Sequence, residues 1–309
     1  MFPSRQIGST GVKVTPVSLG CSCLSRLYEE VSAQQARDVL THAWARGIRY
    51  FDVAPLYGLG LSETRLGQFL QTRPRIEAVV STKVGRILEG GEVQFDYSAA
   101  GFQRSLEESL RRLGLDRVDM LYVHDIGEFT HGTANAAHME DLLGSGLPYL
   151  ERLKREGAIG AYGVGANETE TLVEILHAHP LDAVLIAGRW TLLDRSAEAE
   201  LVPLCARTKT SIVLGGIFNS GILATGPSAE AHFNYLPADS ETRARVRTLQ
   251  ERCAALGVEM PHAALQFAAT RPQVASVLMG TETVPLLQQN LDALDRPLPA
   301  EAAERLFSH

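Results

Sequence analysis

The sequence predicts an α/β fold, a (β/α)8 TIM barrel with an N-terminal β-hairpin closing the bottom, formed as one domain over residues 1–309. Three observations predict it. Short apolar runs alternate with amphipathic helical patterns about eight times along the chain. Most of the runs are apolar on both faces, as parallel strands covered on both sides require. No Gly-x-Gly-x-x-Gly follows the first run: Leu19-Gly20-Cys21-Ser22-Cys23 lacks the spacing of an open dinucleotide-binding sheet.

The hairpin is read from Arg5-Gln6-Ile7 and Val12-Lys13-Val14, which flank the turn cluster Gly8-Ser9-Thr10-Gly11. Val17-Ser18-Leu19 is the first barrel strand. Ser32 caps a helix with Val39, Leu40, Ala43 and Trp44 on one face, stopped by Gly47. Arg49 to Asp52 and Ala78 to Thr82 are the next two strands. Phe102, Leu106, Leu110 and Leu113 recur at helical spacing before Gly114, and Met120 to Val123 follows as the fourth strand. Ala161 to Val164 is the fifth. Leu172, Val173, Ile175 and Leu176 form a helical face before Pro180. Ala183 to Ile186, Ser211 to Leu214 and Ser276 to Met279 complete the eight. Two connections are longer, 125–145 and 225–240, and loops after barrel strands lie on the active face. The second carries His232, Phe233 and Tyr235, which suits a lid with aromatic contacts; a variable surface loop is the other reading.

With 309 residues, 45% hydrophobic and 21% charged, the chain builds a large core without disulfide or metal staples. A formal net charge of -7 argues against nucleic acid or an anionic membrane as a partner, since both select a basic face. Cys21-Ser22-Cys23 has no second ligand pair at zinc spacing, so the cysteines read as packing and no metal is expected. His177 and His179 before Pro180 read as a solvated helix end. No leader pattern and no run of about 18 apolar residues occurs, so the expected location is the cytoplasm.

The chemistry is carried by Asp52, Tyr57, Lys83 and His124, placed near the ends of three predicted strands that deliver them to one face. Interconverting an alcohol and a carbonyl moves a hydride and a proton, and the proton needs a group with a tunable pKa. A free tyrosine titrates at about 10. A neighbouring ammonium favours phenolate, which Lys83 supplies, while Asp52 holds that ammonium and His124 donates to the substrate oxygen. Tyr57 is then the acid in reduction and the base in oxidation.

Gly47 to Gly58 with Ser62-Glu63-Thr64-Arg65-Leu66-Gly67, then Val80 to Val84, then Leu110 to His124, resemble the successive signatures of the aldo-keto reductases. The resemblance spans nearly the whole chain. It implies a barrel that binds NADP or NAD without a separate dinucleotide domain, and it implies the tetrad Asp52, Tyr57, Lys83 and His124. Cofactor positions carried over on the same basis are Ser22, Cys23, Asn167, Phe218, Asn219, Ser220, Gly280, Thr281, Thr283, Gln289 and Asn290. Ala166, Ala187 and Gly215 stand where the family usually has Ser, Gln and a stacking aromatic. Gly280 and Leu286 stand where NADP-specific members carry cations for the 2′-phosphate, and Glu282 is acidic.

Ala54 to Glu63, Ala187 to Leu193 and Gly215 to Leu223 are similar to a branch of aldose 1-dehydrogenases acting on L-fucose, D-arabinose or L-galactose. That implies oxidation of the anomeric hydroxyl to the lactone, with Tyr57 as proton acceptor and a small sugar as the partner. His124, Asp125, Trp190 and Phe233 are the candidate substrate contacts, with Glu128 beside them. Pyridoxal 4-dehydrogenase activity, general aldehyde or ketone reduction, and a non-catalytic nicotinamide-binding subunit are the other readings.

Overall fold

The computed structural model describes residues 2–25 and 31–308. Eight parallel strands close into a barrel. They are β1 (Val17–Gly20), β2 (Tyr50–Asp52), β3 (Val79–Val84), β4 (Met120–His124), β5 (Ala161–Ala166), β6 (Ala183–Ala187), β7 (Ser211–Gly215) and β8 (Val274–Met279). Each pairs with its sequence neighbours, and β8 returns to β1. Helices α1 (Ala33–Ala45), α2 (Leu61–Leu70), α3 (Ala99–Leu113), α4 (Leu147–Arg155), α5 (Thr169–Ala178) and α6 (Leu201–Thr208) fill the first six connections in turn. Two more, α7 (Ser240–Ala255) and α8 (Met260–Ala269), lie between β7 and β8, and α9 (Val284–Leu294) and α10 (Ala300–Phe307) follow β8.

The helix signals are local chemistry. Ser32 accepts from the Gln35 amide while the Gln35 side chain returns to the Ser32 N–H, closing a capping box on α1. Gly114 ends α3 at φ 63, a left-handed cap. The predicted hairpin is present: Arg5–Gln6 pairs antiparallel with Lys13–Val14. Its Ile7 and Val14 are fully buried among Tyr50, Met120, Tyr122 and Val213 of the barrel interior, so it plugs one end. Chemistry is left to the other end.

Two stretches differ from expectation. Residues 125–145 are not a long loop. A short helix, Glu128–His131, is followed by a helical run from Asn135 through a π-turn at Leu142–Gly146 into α4. Gly144 and Gly146 suggest a loop by composition. A Cβ on Gly146 would lie 2.3 Å from the Tyr97 carbonyl oxygen and 2.9 Å from Phe102, so this glycine serves close packing against α3. The second departure is an antiparallel hairpin, Arg86–Glu89 with Glu92–Phe95, that follows β3. Gly90 and Gly91, both at positive φ, turn it. Within 225–240 there is a hairpin too, His232–Phe233 with Leu236–Pro237, turned by Asn234 and Tyr235 at φ 50 and 64. No helix among the described residues is long and apolar enough to cross a membrane.

Candidate active site

Strand register assembles the centre. Asp52 of β2 pairs with Ser81 of β3, and Lys83 of β3 pairs with Tyr122 of β4. Residues two apart share a face, so Tyr50 and Asp52, Ser81 and Lys83, Tyr122 and His124 all point inward. Strand β3 runs past Lys83 to Val84, which puts Lys83 inside the sheet rather than after it. Its Nζ donates to Asp52 Oδ2 at 2.6 Å and to the Val53 carbonyl at 2.9 Å, with both charged side chains only 2% exposed.

Below this pair runs a line of hydroxyls. Ser81 Oγ donates to Asp52 Oδ1 at 2.6 Å, Tyr50 Oη lies 3.0 Å from Ser81 Oγ, and Tyr122 Oη lies 3.5 Å from Tyr50 Oη. The carboxylate is therefore held at both oxygens, one by a serine and one by an ammonium. Buried polar groups of this kind are inexpensive only when each has a partner.

Tyr57 reaches the site from the turn after β2. The turn is closed by Tyr57 N–H to the Ala54 carbonyl and Leu61 N–H to the Gly58 carbonyl. Gly58 sits at φ 60, where a Cβ would come within 2.4 Å of Ser25. The Tyr57 ring lies 4.8 Å from Lys83 Nζ and edge-on to the His124 ring at 5.9 Å. Its phenol is pushed up to about 12 by burial, which outweighs the opposing ammonium of Lys83. The sequence reading expects the ammonium to win; dense surroundings reverse it, although part of the ring stays open to the pocket. Burial also opposes charge on Lys83, but Asp52 and Tyr57 together hold its pKa above the ordinary lysine value.

His124 is held neutral. Burial, then Lys83 and Arg86, depress its pKa well below the usual imidazole range. Its Nε2 lies 3.5 Å from Asp125 Oδ2, which favours the proton on that nitrogen, while Nδ1 is buried with no partner among the described residues. Tyr57, Lys83, His124, Asp125 and Arg86 line one pocket of about 460 Å³, together with Asn167 and Ala187. Phe129, Tyr235 and Leu236 form its exposed apolar rim.

The remaining candidates divide. Asn167 lines the pocket. Asn219 is buried and its amide is committed, donating to the Gly188 carbonyl and accepting from Thr191 Oγ1 at 2.6 Å. Ser220 Oγ accepts from the Tyr235 N–H, tying the 232–237 hairpin across the mouth. Arg189 reinforces the tie, donating to the Asn167 carbonyl and to Asn234 Oδ1. Phe218 and Phe233 are half-buried against the hydrophobic core and do not line the pocket. Trp190 is buried in that core with its indole N–H on Glu198, so it too lies off the pocket wall. Sequence reasoning missed Arg86 because its only signal is a position three residues beyond Lys83.

Ser22 and the buried Cys23 occupy the single helical turn Cys21–Leu24 after β1. Gly280 and Thr281 follow β8 next to it, and Thr283 caps α9 by accepting from the Leu286 N–H. Asn290 is buried and Gln289 exposed on α9. Thr281 Oγ1 is buried without a partner among the described residues. An orphan hydroxyl beside the N-terminus of an 11-residue helix fits a bound phosphate. The residues present thus fit a nicotinamide dinucleotide.

Comparison with known proteins agrees. The chain matches the Aldo/keto reductase family over residues 16–309. It is 38% identical to pyridoxal 4-dehydrogenase of Microbacterium luteolum, over 96% of this chain and 94% of that protein. It is 36% identical to D-threo-aldose 1-dehydrogenase of a Pseudomonas species, over 94% and 93%. It superposes on the holo form of an aldo-keto reductase from Bacillus halodurans with a TM-score of 0.81 at 26% identity, covering 99% of this chain and 95% of that one. The cofactor is NADP or NAD. The chain belongs to the aldo/keto reductase family.

Proposed function

We propose that this NAD(P)-dependent oxidoreductase oxidises the anomeric hydroxyl of a free aldose of the L-fucose, D-arabinose or L-galactose type to the lactone. The observation that carries the reading is the Arg86–Asp125 ion pair beside His124 in the pocket wall, a polar pair suited to a polyhydroxylated substrate. When bound, the oxidised nicotinamide accepts the C1 hydride and brings a positive charge.

Tyr57 takes the hydroxyl proton at Oη. Because its phenol lies high, only a small phenolate fraction exists at neutral pH, and Lys83 is the protein charge that opposes burial there. Asp52 keeps that ammonium protonated and aimed, with Ser81 fixing the second carboxylate oxygen. His124, neutral and protonated on Nε2, donates to the substrate oxygen without adding a second cation. Loss of the O–H proton to Tyr57 and of the C1 hydride converts the hemiacetal carbon to the lactone carbonyl. Cofactor is held by Asn167 and by Ser22, Cys23, Gly280, Thr281, Thr283 and Asn290 along the β1, β8 and α9 edge.

Pyridoxal oxidation is the second reading, favoured by the 38% identical relative. A panel of L-fucose, D-arabinose and pyridoxal with NADP and NAD separates them by kcat/KM. Turnover of pyridoxal alone would sink the aldose reading. Tyr57→Phe should abolish turnover while cofactor affinity, read by fluorescence, persists; retained turnover moves the proton-transfer role elsewhere.

A further inference from the structure

We propose that Arg86 and Asp125 together read the hydroxyl on the carbon next to the reacting carbon, so that the site selects a 1,2-oxygenated pair such as C1–C2 of an aldose. The inference rests on the aldose reading and deepens it.

The backbone is the first observation. Asp125 leaves β4 at φ 49, a sparsely populated conformation for a residue with a side chain, while its N–H still donates to the Gly165 carbonyl at 2.8 Å. The bend leaves the carboxylate among the pocket-lining groups. The partner is the second. Arg86 Nη2 meets Asp125 Oδ2 at 2.6 Å, and Arg86 Nε is buried with no partner among the described residues. An arginine that clamps a carboxylate frequently does so through two parallel N–H groups. This pair has a single contact, which leaves capacity on both sides. A hydroxyl donates once and accepts as well, so one sugar hydroxyl satisfies the carboxylate and the guanidinium together.

Position supplies the register. Asp125 Oδ2 lies 3.5 Å from His124 Nε2, the nitrogen assigned to the reacting oxygen. An oxygen held by Nε2 and a hydroxyl held at Oδ2 are then close neighbours, the relation of the two oxygens of a gauche vicinal diol. Burial also holds the Asp125 carboxyl above its ordinary range, against Arg86 and Lys83, so a further donor is welcome there.

The test compares D-arabinose with 2-deoxy-D-ribose, which keeps the C3 and C4 configuration and lacks the 2-hydroxyl. Hydrogen bonds to charged groups predict that the wild-type enzyme prefers D-arabinose by about 100-fold in kcat/KM. Asp125→Asn, whose side chain tolerates the left-handed backbone, lowers kcat/KM for D-arabinose about tenfold more than for 2-deoxy-D-ribose. Arg86→Gln, a second route should the first variant fold poorly, does the same. A purely structural clamp lowers both sugars equally, and that result overturns the proposal. Equal wild-type rates on the two sugars overturn it while leaving the aldose reading intact. Turnover of pyridoxal with neither sugar oxidised overturns both.

Discussion

Replacing Asp52 by Asn tests what the buried ion pair is for. The change keeps shape and leaves Ser81 a partner, but it strips the charge that faces Lys83 at 2.6 Å. Lys83 is then left with the neutral Val53 carbonyl and the Tyr57 phenol in a buried position. Orphaning one member of such a pair costs about 3–5 kcal/mol, a large share of the roughly 5–15 kcal/mol that hold a typical domain folded. The double variant Asp52→Asn/Lys83→Met removes both charges and recovers stability to within ~1 kcal/mol of wild type, because the desolvation of both ions is relieved together. Activity stays lost in both, since the single variant no longer aims the Lys83 ammonium and the double variant has none. The loss also has a pH signature. In the wild type Lys83 titrates above its ordinary value, so its contribution is complete below that value and fades only as pH rises through the raised one. With Asp52 neutralised, burial is the dominant influence and the Lys83 pKa falls below its unfolded value. The native state then binds fewer protons than the unfolded state, so the variant gains stability as pH climbs from the depressed value to the ordinary one. Urea unfolding followed by tryptophan fluorescence should therefore show the deficit narrowing from pH 7 to pH 10. A double variant as unstable as the single, or a deficit that widens with pH, would refute the assignment of the cost to a stranded ammonium.

Four further outcomes follow from the same geometry. With the Tyr57 phenol up at about 12 and His124 already neutral, kcat/KM for sugar oxidation should rise up to about tenfold per pH unit between pH 7 and 9; a flat profile in buffers of constant ionic strength would move the proton acceptor elsewhere. Ser81→Ala frees one Asp52 oxygen and leaves Tyr50 Oη with only its 3.5 Å contact to Tyr122, so kcat should fall about tenfold at nearly constant KM with a stability loss of about 1–2 kcal/mol, and an unchanged kcat would leave the serine with packing alone. Gly163→Ala would bring a Cβ within 2.1 Å of the Ala183 carbonyl oxygen and 3.0 Å of Tyr122, so the urea midpoint should drop by the equivalent of about 2 kcal/mol or more. Thr281→Val removes a buried unpaired hydroxyl, so the cofactor-free protein should melt at the same or a higher temperature while the cofactor Kd weakens about tenfold; a lower melting temperature with unchanged affinity would contradict the phosphate assignment.

The barrel, and the gathering of Asp52, Tyr57, Lys83 and His124 at one end of it, are legible in the sequence because both depend on local periodicity. A strand covered on both faces has to be apolar, so the exceptions Asp52, Lys83 and His124 stand out at its end. Caps such as Ser32 with Gln35 are equally local. What escaped depends on distant partners. Gly146 reads as a loop breaker until the Tyr97 carbonyl and Phe102 are known to press on it. Trp190 looks like a sugar platform until Glu198, eight residues on, claims its indole N–H and the core claims its ring. The competition at Tyr57 between burial and an ammonium is decided by packing density, which no spacing of residues reveals.

The small residues of β5, β6 and β7 have a collective meaning that single positions hide. Strands β2 and β4 fill the barrel interior with Tyr50, Met120 and Tyr122. Strands β5, β6 and β7 answer with Gly163, Gly165, Ala183, Ala187 and Gly215. Gly163 is small because Tyr122 and the Ala183 carbonyl occupy the place of its side chain. One turn of the pleat higher no strand tyrosine remains, so small Gly165 and Ala187 leave room beside Leu185, and the pocket opens there. Its mouth continues over Gly188 and Gly216, both at positive φ. The lower layer packs polar hydroxyls out of reach of water, and the upper layer leaves room for flat ligands. The charged pair Asp52 and Lys83 sits at the level where one gives way to the other. Enlarging Ala187 would therefore narrow the ligand space without touching the hydroxyl line that orients Asp52, which separates binding from proton transfer within one barrel.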